Sequence, residues 1–251
     1  MKESNLKFQA SLFGSFEDIS PTTDNLKYAL NEFEYLGLIP SSYDQIEIPQ
    51  GLSQLLGGSG QGIPRFNLKS GDGLWLIDFE KNRIDIIKQT LDTDLKGFGD
   101  LADFLIEANR ILEKVQIRFN KTFHRLSIIT RHLFSDLTED QFSAAFTSLV
   151  NPVAIYQENP PTEWQTRLLS KISPKDYGEL LNVICAANRG TVAMKAGEAL
   201  NPVDGIEVLF DINTHQSNTE YRFGTADIPT FWDVAATFTQ SILDEYRGRF
   251  N

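Results

Sequence analysis

The chain has 251 residues, of which 41% are hydrophobic and 11% aromatic, a composition typical of a packed globular protein and not of a disordered one. Asp and Glu outnumber Lys and Arg by 34 to 23, so the net charge of -11 repels phosphate backbones, and nucleic-acid binding would need a local basic patch. Apolar runs stop well short of the roughly 18 to 20 residues of a membrane span, and the first residues lack a signal-peptide core, so we expect neither membrane insertion nor export.

The first part of the chain predicts a strand, a helix, a three-stranded meander and a long helix. Residues 6–13 have the apolar and aromatic content of a strand, and Pro21 opens a helix over residues 22–36 that Gly37 ends. A long helix with an unbroken apolar stripe follows the meander at residues 98–117. The meander strands are predicted at residues 65–69, 74–79 and 83–89.

The second part predicts the same order of elements. Residues 123–134 are rich in residues that favour an extended chain, and Thr138 with Gln141 forms a capping box at the start of a helix. A final amphipathic helix has Thr230 as its expected N-cap. Three strands between these helices are predicted at residues 164–172, 179–187 and 206–213.

The repeated order predicts an α+β fold of two similar βαβββα-like halves. The expected division lies near Asn120, giving a first half of residues 1–120 and a second half of residues 121–251. Each half should form an antiparallel sheet backed by long amphipathic helices, because a half-buried sheet needs one face covered. Packing of the two halves against each other would leave a cleft between them.

Two carboxylates are the candidate catalytic residues. Asp78 and Asp211 stand inside otherwise apolar strands at corresponding places in the two halves. If the cleft brought them together, their repulsion would raise the pKa of one of them and support acid/base chemistry or cation binding. The alternative is that both side chains alternate outward to solvent, which the pattern Trp-Leu-Ile-Asp-Phe permits.

Arginines on or beside the predicted strands are the candidate ligand-binding residues. A sheet face that gathered them could bind an anionic ligand or nucleic acid despite the acidic total. The alternative is that each arginine pairs with a neighbouring carboxylate. The residues are Arg65, Arg125 and Arg131, with Arg167 and Arg189 in similar positions.

We expect no metal site and no cofactor. His124 and His132 would be about 26 Å apart on one strand at roughly 3.3 Å per residue, too far to share a metal, and His215 is distant in sequence. We interpret these histidines as structural or surface residues. The glycine-rich run at residues 57–62 leads through Pro64 into a strand without the lysine of a phosphate-binding loop, so a flexible loop is favoured over a phosphate site.

The single cysteine, Cys185, lies in an apolar stretch. One cysteine cannot form an intrachain disulfide, and its surroundings predict a buried, inert thiol. Together with the missing export signal, this places the protein in the cytoplasm as an expectation.

Several short motifs follow one another along the chain in an order that resembles a known family. They are Pro64-Arg65-Phe66, Ser70-Gly71-Asp72-Gly73, Arg125-Leu126-Ser127-Ile128 and Leu209-Phe210-Asp211-Ile212. In this order the chain resembles a sporadically distributed bacterial family of uncharacterised proteins of similar length. It departs from that family where Ile129-Thr130-Arg131-His132 stands in place of the usual Arg-Tyr-Ile-Asn. The resemblance supplies no catalytic residue, but the family's patchy distribution, like that of mobile or defence-associated genes, implies a partner-dependent role.

The leading functional hypothesis is a noncatalytic binding or regulatory subunit that acts with a protein partner, or as a homo-oligomer, in a bacterial defence or mobile-element system. No Ser/His/Asp order, paired-cysteine motif or nucleophile elbow is visible in the sequence. The first alternative is an enzyme with an acidic site at Asp78 and Asp211. The second is an anionic-ligand or nucleic-acid binding module that uses the strand arginines.

Overall fold

The computed structural model describes residues 1–45, 62–92, 98–196 and 199–250, although not the side chain at 196. These residues form a mixed α+β fold. Its strands are β1 Lys2–Phe13, β2 Leu38–Gln45, β3 Ile63–Ser70, β4 Trp75–Phe79, β5 Arg83–Gln89, β6 Arg125–Ser135, β7 Trp164–Ile172, β8 Leu181–Ala196 and β9 Ala199–Thr214. Its helices are α1 Thr23–Phe33, α2 Leu101–Phe119, α3 Glu139–Val150, α4 Ala154–Glu158 and α5 Asp227–Phe250, with a 3₁₀ turn at Glu34–Leu36.

All nine strands belong to one antiparallel sheet with the order β2-β3-β4-β5-β1-β6-β9-β8-β7. The sequence predicted a separate sheet in each half. The structure differs because β1 and β6 pair along almost their whole length, from Lys2 opposite Ser135 to Phe13 opposite Arg125. This pairing satisfies the inner edge of both groups of strands and makes the sheet continuous.

The helices α1, α2, α3 and α5 pack on one face of the sheet, called here the covered face. In register, Ala10 lies opposite Ile128 and Ile128 lies opposite Ile212, and all three side chains are buried. The larger core cluster joins these residues to Phe8 of β1 and Phe231 of α5, so the core runs without a break across position 120. A second cluster packs α3 and α5 over β8 and β9.

The helix ends follow the capping signals in the sequence, with one exception. The capping box of Thr138 and Gln141 is present at α3, and Asp100 with Asp103 forms another at α2. Gly37 ends the first helical segment in the left-handed conformation, with a φ of 63°, which glycine adopts without strain. The exception is Thr230, since α5 begins at Asp227 and Thr230 therefore lies within its first turn.

The structure contains more strand than the sequence predicted. It adds β2, and it extends β8 and β9 beyond the predicted residues 179–187 and 206–213 into a long hairpin that runs through Gly190 and Pro202. Pro202 fits in this hairpin because β6 ends opposite Gly205, so β9 has no neighbour on that side beyond Gly205 and needs no N–H donor there. Residues 57–61 of the glycine-rich run lie outside the described residues.

Among the described helices, none combines the length and the hydropathy that crossing a membrane requires.

Candidate binding face

The sheet face opposite the helices, called here the open face, carries a row of polar side chains that crosses all nine strands. Each member of the row lies directly opposite the next on the neighbouring strand. From β2 to β7 the row reads Ser41, Asn67, Asp78, Asp85, Ser11, Ser127, Asn213, Asn182 and Lys171. The open face is therefore polar along a line where the covered face is apolar.

The centre of this row is buried although no helix covers it. Asp85 is 3% exposed and accepts a hydrogen bond from the Ser11 hydroxyl at 2.6 Å. Gln9 donates to Ser11 at 2.9 Å, and the Arg83 Nε lies 2.8 Å from the second Asp85 oxygen. The carboxylate is thus held by a charged partner and a hydroxyl, as a buried charge requires.

A second hydrogen-bonded group surrounds Asp211 on β9. The same Asp211 oxygen accepts from the Ser127 hydroxyl and from the Asn213 amide, each at 2.9 Å. Asn182 then donates to the Asn213 carbonyl oxygen at 3.0 Å. These bonds hold the Asp211 carboxylate in place on the open face.

The structure does not bring Asp78 and Asp211 together. They lie on β4 and β9, four strand spacings apart, which is about 19 Å at the usual spacing of roughly 4.8 Å between strands. Asp78 instead accepts a hydrogen bond from the Tyr43 hydroxyl at 2.8 Å. Burial raises the pKa of Asp78, and the bond from Tyr43 opposes this shift. The two carboxylates cannot act on one bound atom at this separation, so the geometry gives no basis for the acid/base pair.

Of the three candidate ligand-binding arginines, Arg65 is enclosed by the protein. It is 1% exposed, its Nη1 donates to the Phe16 carbonyl at 3.0 Å, and its Nε donates to the Gln45 side chain at 3.2 Å. These contacts tie the segment after β1 to the edge of the sheet. Arg65 therefore has a structural role and is not presented to a ligand.

Arg125 and Arg131 lie on the open face, Arg125 at the start of β6 and Arg131 near its middle. The Arg125 guanidinium stands 4.6 Å from the centre of the Phe13 ring, and burial lowers the pKa of Arg125 while Asp211 opposes that shift. Arg131 pairs with Glu207 on β9. Six residue steps along the strand separate them by about 20 Å, so they do not form one basic patch.

The two remaining arginines differ in exposure. Arg189 is 4% exposed, donates to the Glu139 carboxylate at 3.2 Å and stacks 3.9 Å from the Phe142 ring, so it braces α3 against β8. Arg167 is exposed on β7.

His132 belongs to the core and not to a site. It is 3% exposed on the covered face and hydrogen bonds with Asn5 at 2.9 Å and with the Thr130 hydroxyl at 3.0 Å. Burial lowers the pKa of His132 to about 4, against the opposing charge of Glu3. No group of three or more His, Cys, Asp or Glu side chains in the described ranges is arranged to hold a metal ion.

Cys185 is a buried free thiol, as predicted. Its sulfur donates to the Tyr246 hydroxyl at 3.0 Å, and burial raises the pKa of the thiol. The uncharged thiol is a poor nucleophile, so this cysteine serves packing.

The strand β7 forms an unprotected edge of the sheet. It pairs with β8 along one side, and no described segment hydrogen bonds to the backbone of its other side. Leu168 and Leu169, in the middle of the strand, are 64% and 48% exposed. The opposite edge, β2, carries Pro40, a residue that blocks strand addition. Local sequence patterns do not reveal this edge, because strand order depends on pairings between distant segments.

No protein-family model matches the chain, and no match is found among curated proteins or among solved structures. The resemblance to a sporadically distributed bacterial family therefore stays an expectation based on short motifs.

Proposed function

We propose that the protein is a noncatalytic binding subunit that takes an extended segment of a partner protein onto the free edge of β7. The observation that carries this proposal is the exposure of the strand at the end of the sheet: among the seven successive residues 165–171, six are exposed and residue 166 is half-buried. Unpaired backbone donors and acceptors at such an edge form a template for another strand.

The side chains of β7 indicate the chemistry of the incoming segment. Arg167 and Lys171 both project from the open-face side, because they lie opposite Ala186 and Asn182 in register. Leu168 projects from the other side, where it lies opposite Cys185. Opposite charges and apolar pairs stabilise neighbouring strands, so the preferred partner segment places acidic residues opposite Arg167 and Lys171 and apolar residues opposite Leu168 and Leu169.

The test uses the protein co-expressed with the products of its neighbouring genes and analysed by native mass spectrometry. We expect a complex in the wild type and at least a tenfold weaker one in the double variant Leu168→Lys, Leu169→Lys, because lysine at an edge opposes strand addition. Ile106→Lys is the matched control, since Ile106 is 71% exposed on α2 and far from the edge in the fold.

A complex that survives the double variant, or one that is equally weakened by Ile106→Lys, would contradict the edge as the binding site. Loss of a homodimer in the absence of other gene products would instead identify a second copy as the occupant. All three proteins should unfold at nearly the same urea concentration, because exposed substitutions usually change the free energy of unfolding by less than about 0.5 kcal/mol.

We further propose that the fold arose by duplication and that the subunit works in the cytoplasm within a bacterial defence or mobile-element system. Two observations support the duplication. β1 is followed by α1 and a meander that returns from the sheet edge to lie beside β1, and β6 is followed by α3 and a meander that returns to lie beside β6. The long helices α2 and α5 then end the two halves on the same face.

A further inference from the structure

A cavity of about 300 Å³ lies at one end of the open face, under the long hairpin of β8 and β9. This hairpin reaches back across the sheet to the end of β5, where the Lys195 N–H donates to the Leu91 carbonyl at 2.7 Å. Under it, Met194 packs with Leu6 and Leu133 in a small apolar cluster. The hairpin thereby forms a wall opposite the sheet.

Gly205 allows the hairpin to lie this close to β6. A Cβ atom at Gly205 would stand 2.7 Å from the Phe134 carbonyl oxygen and 2.8 Å from a Leu133 methyl carbon. Contacts of this length do not occur between real Cβ atoms and backbone, so any larger residue would displace the strand. The wall of the cavity therefore depends on a backbone approach that only glycine permits.

Two cations meet in this cavity. Lys7 on β1 and Arg131 on β6 lie directly opposite each other in register, and both line the space. Like charges in this position destabilise a sheet. Within the described residues no hydrogen bond or ion pair holds the Lys7 ammonium, which Asp85 attracts at longer range, and the Arg131 Nε is buried without a partner. Glu207 neutralises only one of the two charges.

We propose that the cavity binds a small, singly charged carboxylate that carries a short apolar chain. Its carboxylate accepts hydrogen bonds from the Lys7 ammonium and from the Arg131 guanidinium, the two cations that line the space. The chain packs against Leu6, Leu91 and Val192, which line the same space. Lys7, Arg131 and Glu207 together carry a net charge of one positive unit. A dianion such as phosphate would exceed this charge and should therefore bind more weakly than a monoanion.

Two kinds of ligand have such a carboxylate and apolar chain: a free short-chain acid and the C-terminal end of a peptide. The experiment titrates the full-length protein at low ionic strength with butyrate, with its neutral isostere butyramide and with inorganic phosphate, and follows the backbone amide signals of Gln89, Thr90 and Arg131 by NMR. We expect saturable shifts with butyrate, none with butyramide, and at least tenfold weaker binding of phosphate. A tetrapeptide ending in valine, compared with its C-terminal amide, then distinguishes a chain end from a free acid as the source.

Variants test whether the ligand binds at the cavity of Lys7 and Arg131. Lys7→Met should weaken butyrate binding at least tenfold and Lys7→Arg should retain it. Lys27→Met, which removes an exposed lysine from α1, should leave it unchanged. Leu91→Ala should weaken butyrate binding while leaving that of acetate unaltered. Equal binding of butyrate and butyramide by the wild type, or unchanged butyrate binding by a folded Lys7→Met protein, would overturn the proposal.

Discussion

The two faces of the nine-stranded sheet are built from different residue types along the same strands. On β9, Phe210 faces the helices, is fully buried and packs edge-on against the Tyr246 ring at 6.0 Å. Its neighbour Asp211 faces the open side and is held by Ser127 and Asn213. The covered face gains stability from apolar burial, whereas hydrogen bonds on the open face largely replace bonds to water and add little net stability. The open face is therefore free to carry groups chosen for binding.

The largest expected effect is on the free energy of unfolding, and it differs between two adjacent positions of β9 that face opposite sides of the sheet. Phe210→Ala should lower the free energy of unfolding by about 3 to 5 kcal/mol, because it leaves a cavity in the core. Leu209→Ala, one residue away on the open face, should lower it by only about 1 kcal/mol, because Leu209 is half-buried and no helix packs on it. Urea unfolding of the two variants measures both changes, and similar losses would mean that the faces contribute equally.

The covered face is the part of the fold that the sequence predicts best. Strands β1, β4, β5 and β6 and helices α2, α3 and α5 were all predicted near their observed positions, and so was the part of β9 from residue 206 onwards, because apolar residues mark the buried side at spacings of two or of three to four. β2 was missed because its sequence, Leu-Ile-Pro-Ser-Ser-Tyr, contains a proline and few β-branched residues. An edge strand accepts such residues because one of its sides needs no partner.

The open face could not be assembled from the sequence. Its polar row depends on the register between strands far apart in the chain, such as Ser11 opposite Ser127, and local patterns carry no information on that register. The alternating polar residues Gln9 and Ser11 were the available signal that β1 has a polar side. The cavity depends in addition on the length of the hairpin. The prediction ended β8 at residue 187 and began β9 at residue 206, because Gly190 and Pro202 are residue types that interrupt strands.

The next effect concerns His132, a titratable group on the covered face. Its folded pKa of about 4 lies below the ordinary value of 6.5, so the unfolded chain binds more protons between these values. The stability that neutral His132 provides is therefore complete above pH 6.5. The free energy of unfolding falls by up to about 3 kcal/mol as the pH is lowered towards 4. His132→Gln preserves a donor for Asn5 and an acceptor for Thr130 without titrating.

Unfolding free energies measured from pH 7 to pH 4 test this expectation. The wild type should lose about 3 kcal/mol more than His132→Gln over that range, since all other groups titrate in both proteins. Glu3, 4.0 Å from the ring, and Arg247, which pairs with Glu3, are the charges nearest to His132 and remain in the variant. Parallel pH profiles would show that His132 is not held neutral by the core.

The smallest expected effect is a gain of stability on the open face. Burial, and next the charge of Arg131, lower the pKa of Lys7, so the folded protein disfavours this ammonium. Lys7→Met should therefore raise the free energy of unfolding by about 0.5 to 1 kcal/mol at pH 7, the size of a like-charge pair on neighbouring strands. Lys69→Met is the control, because Lys69 is exposed and lies opposite Ile39 and Leu76.

The stability advantage of Lys7→Met over the wild type should shrink as the pH rises towards the ordinary lysine pKa of 10.5. At high pH the folded wild type also lacks the charge on Lys7 that destabilises it. Urea unfolding at pH 7 and pH 10 measures this difference, and a loss of stability in Lys7→Met would show that the ammonium is compensated in the free protein. If Lys7→Met both raises the free energy of unfolding and removes carboxylate binding, the charge of Lys7 opposes folding and serves the ligand. The open face would then carry a group that is kept for binding at a cost in stability.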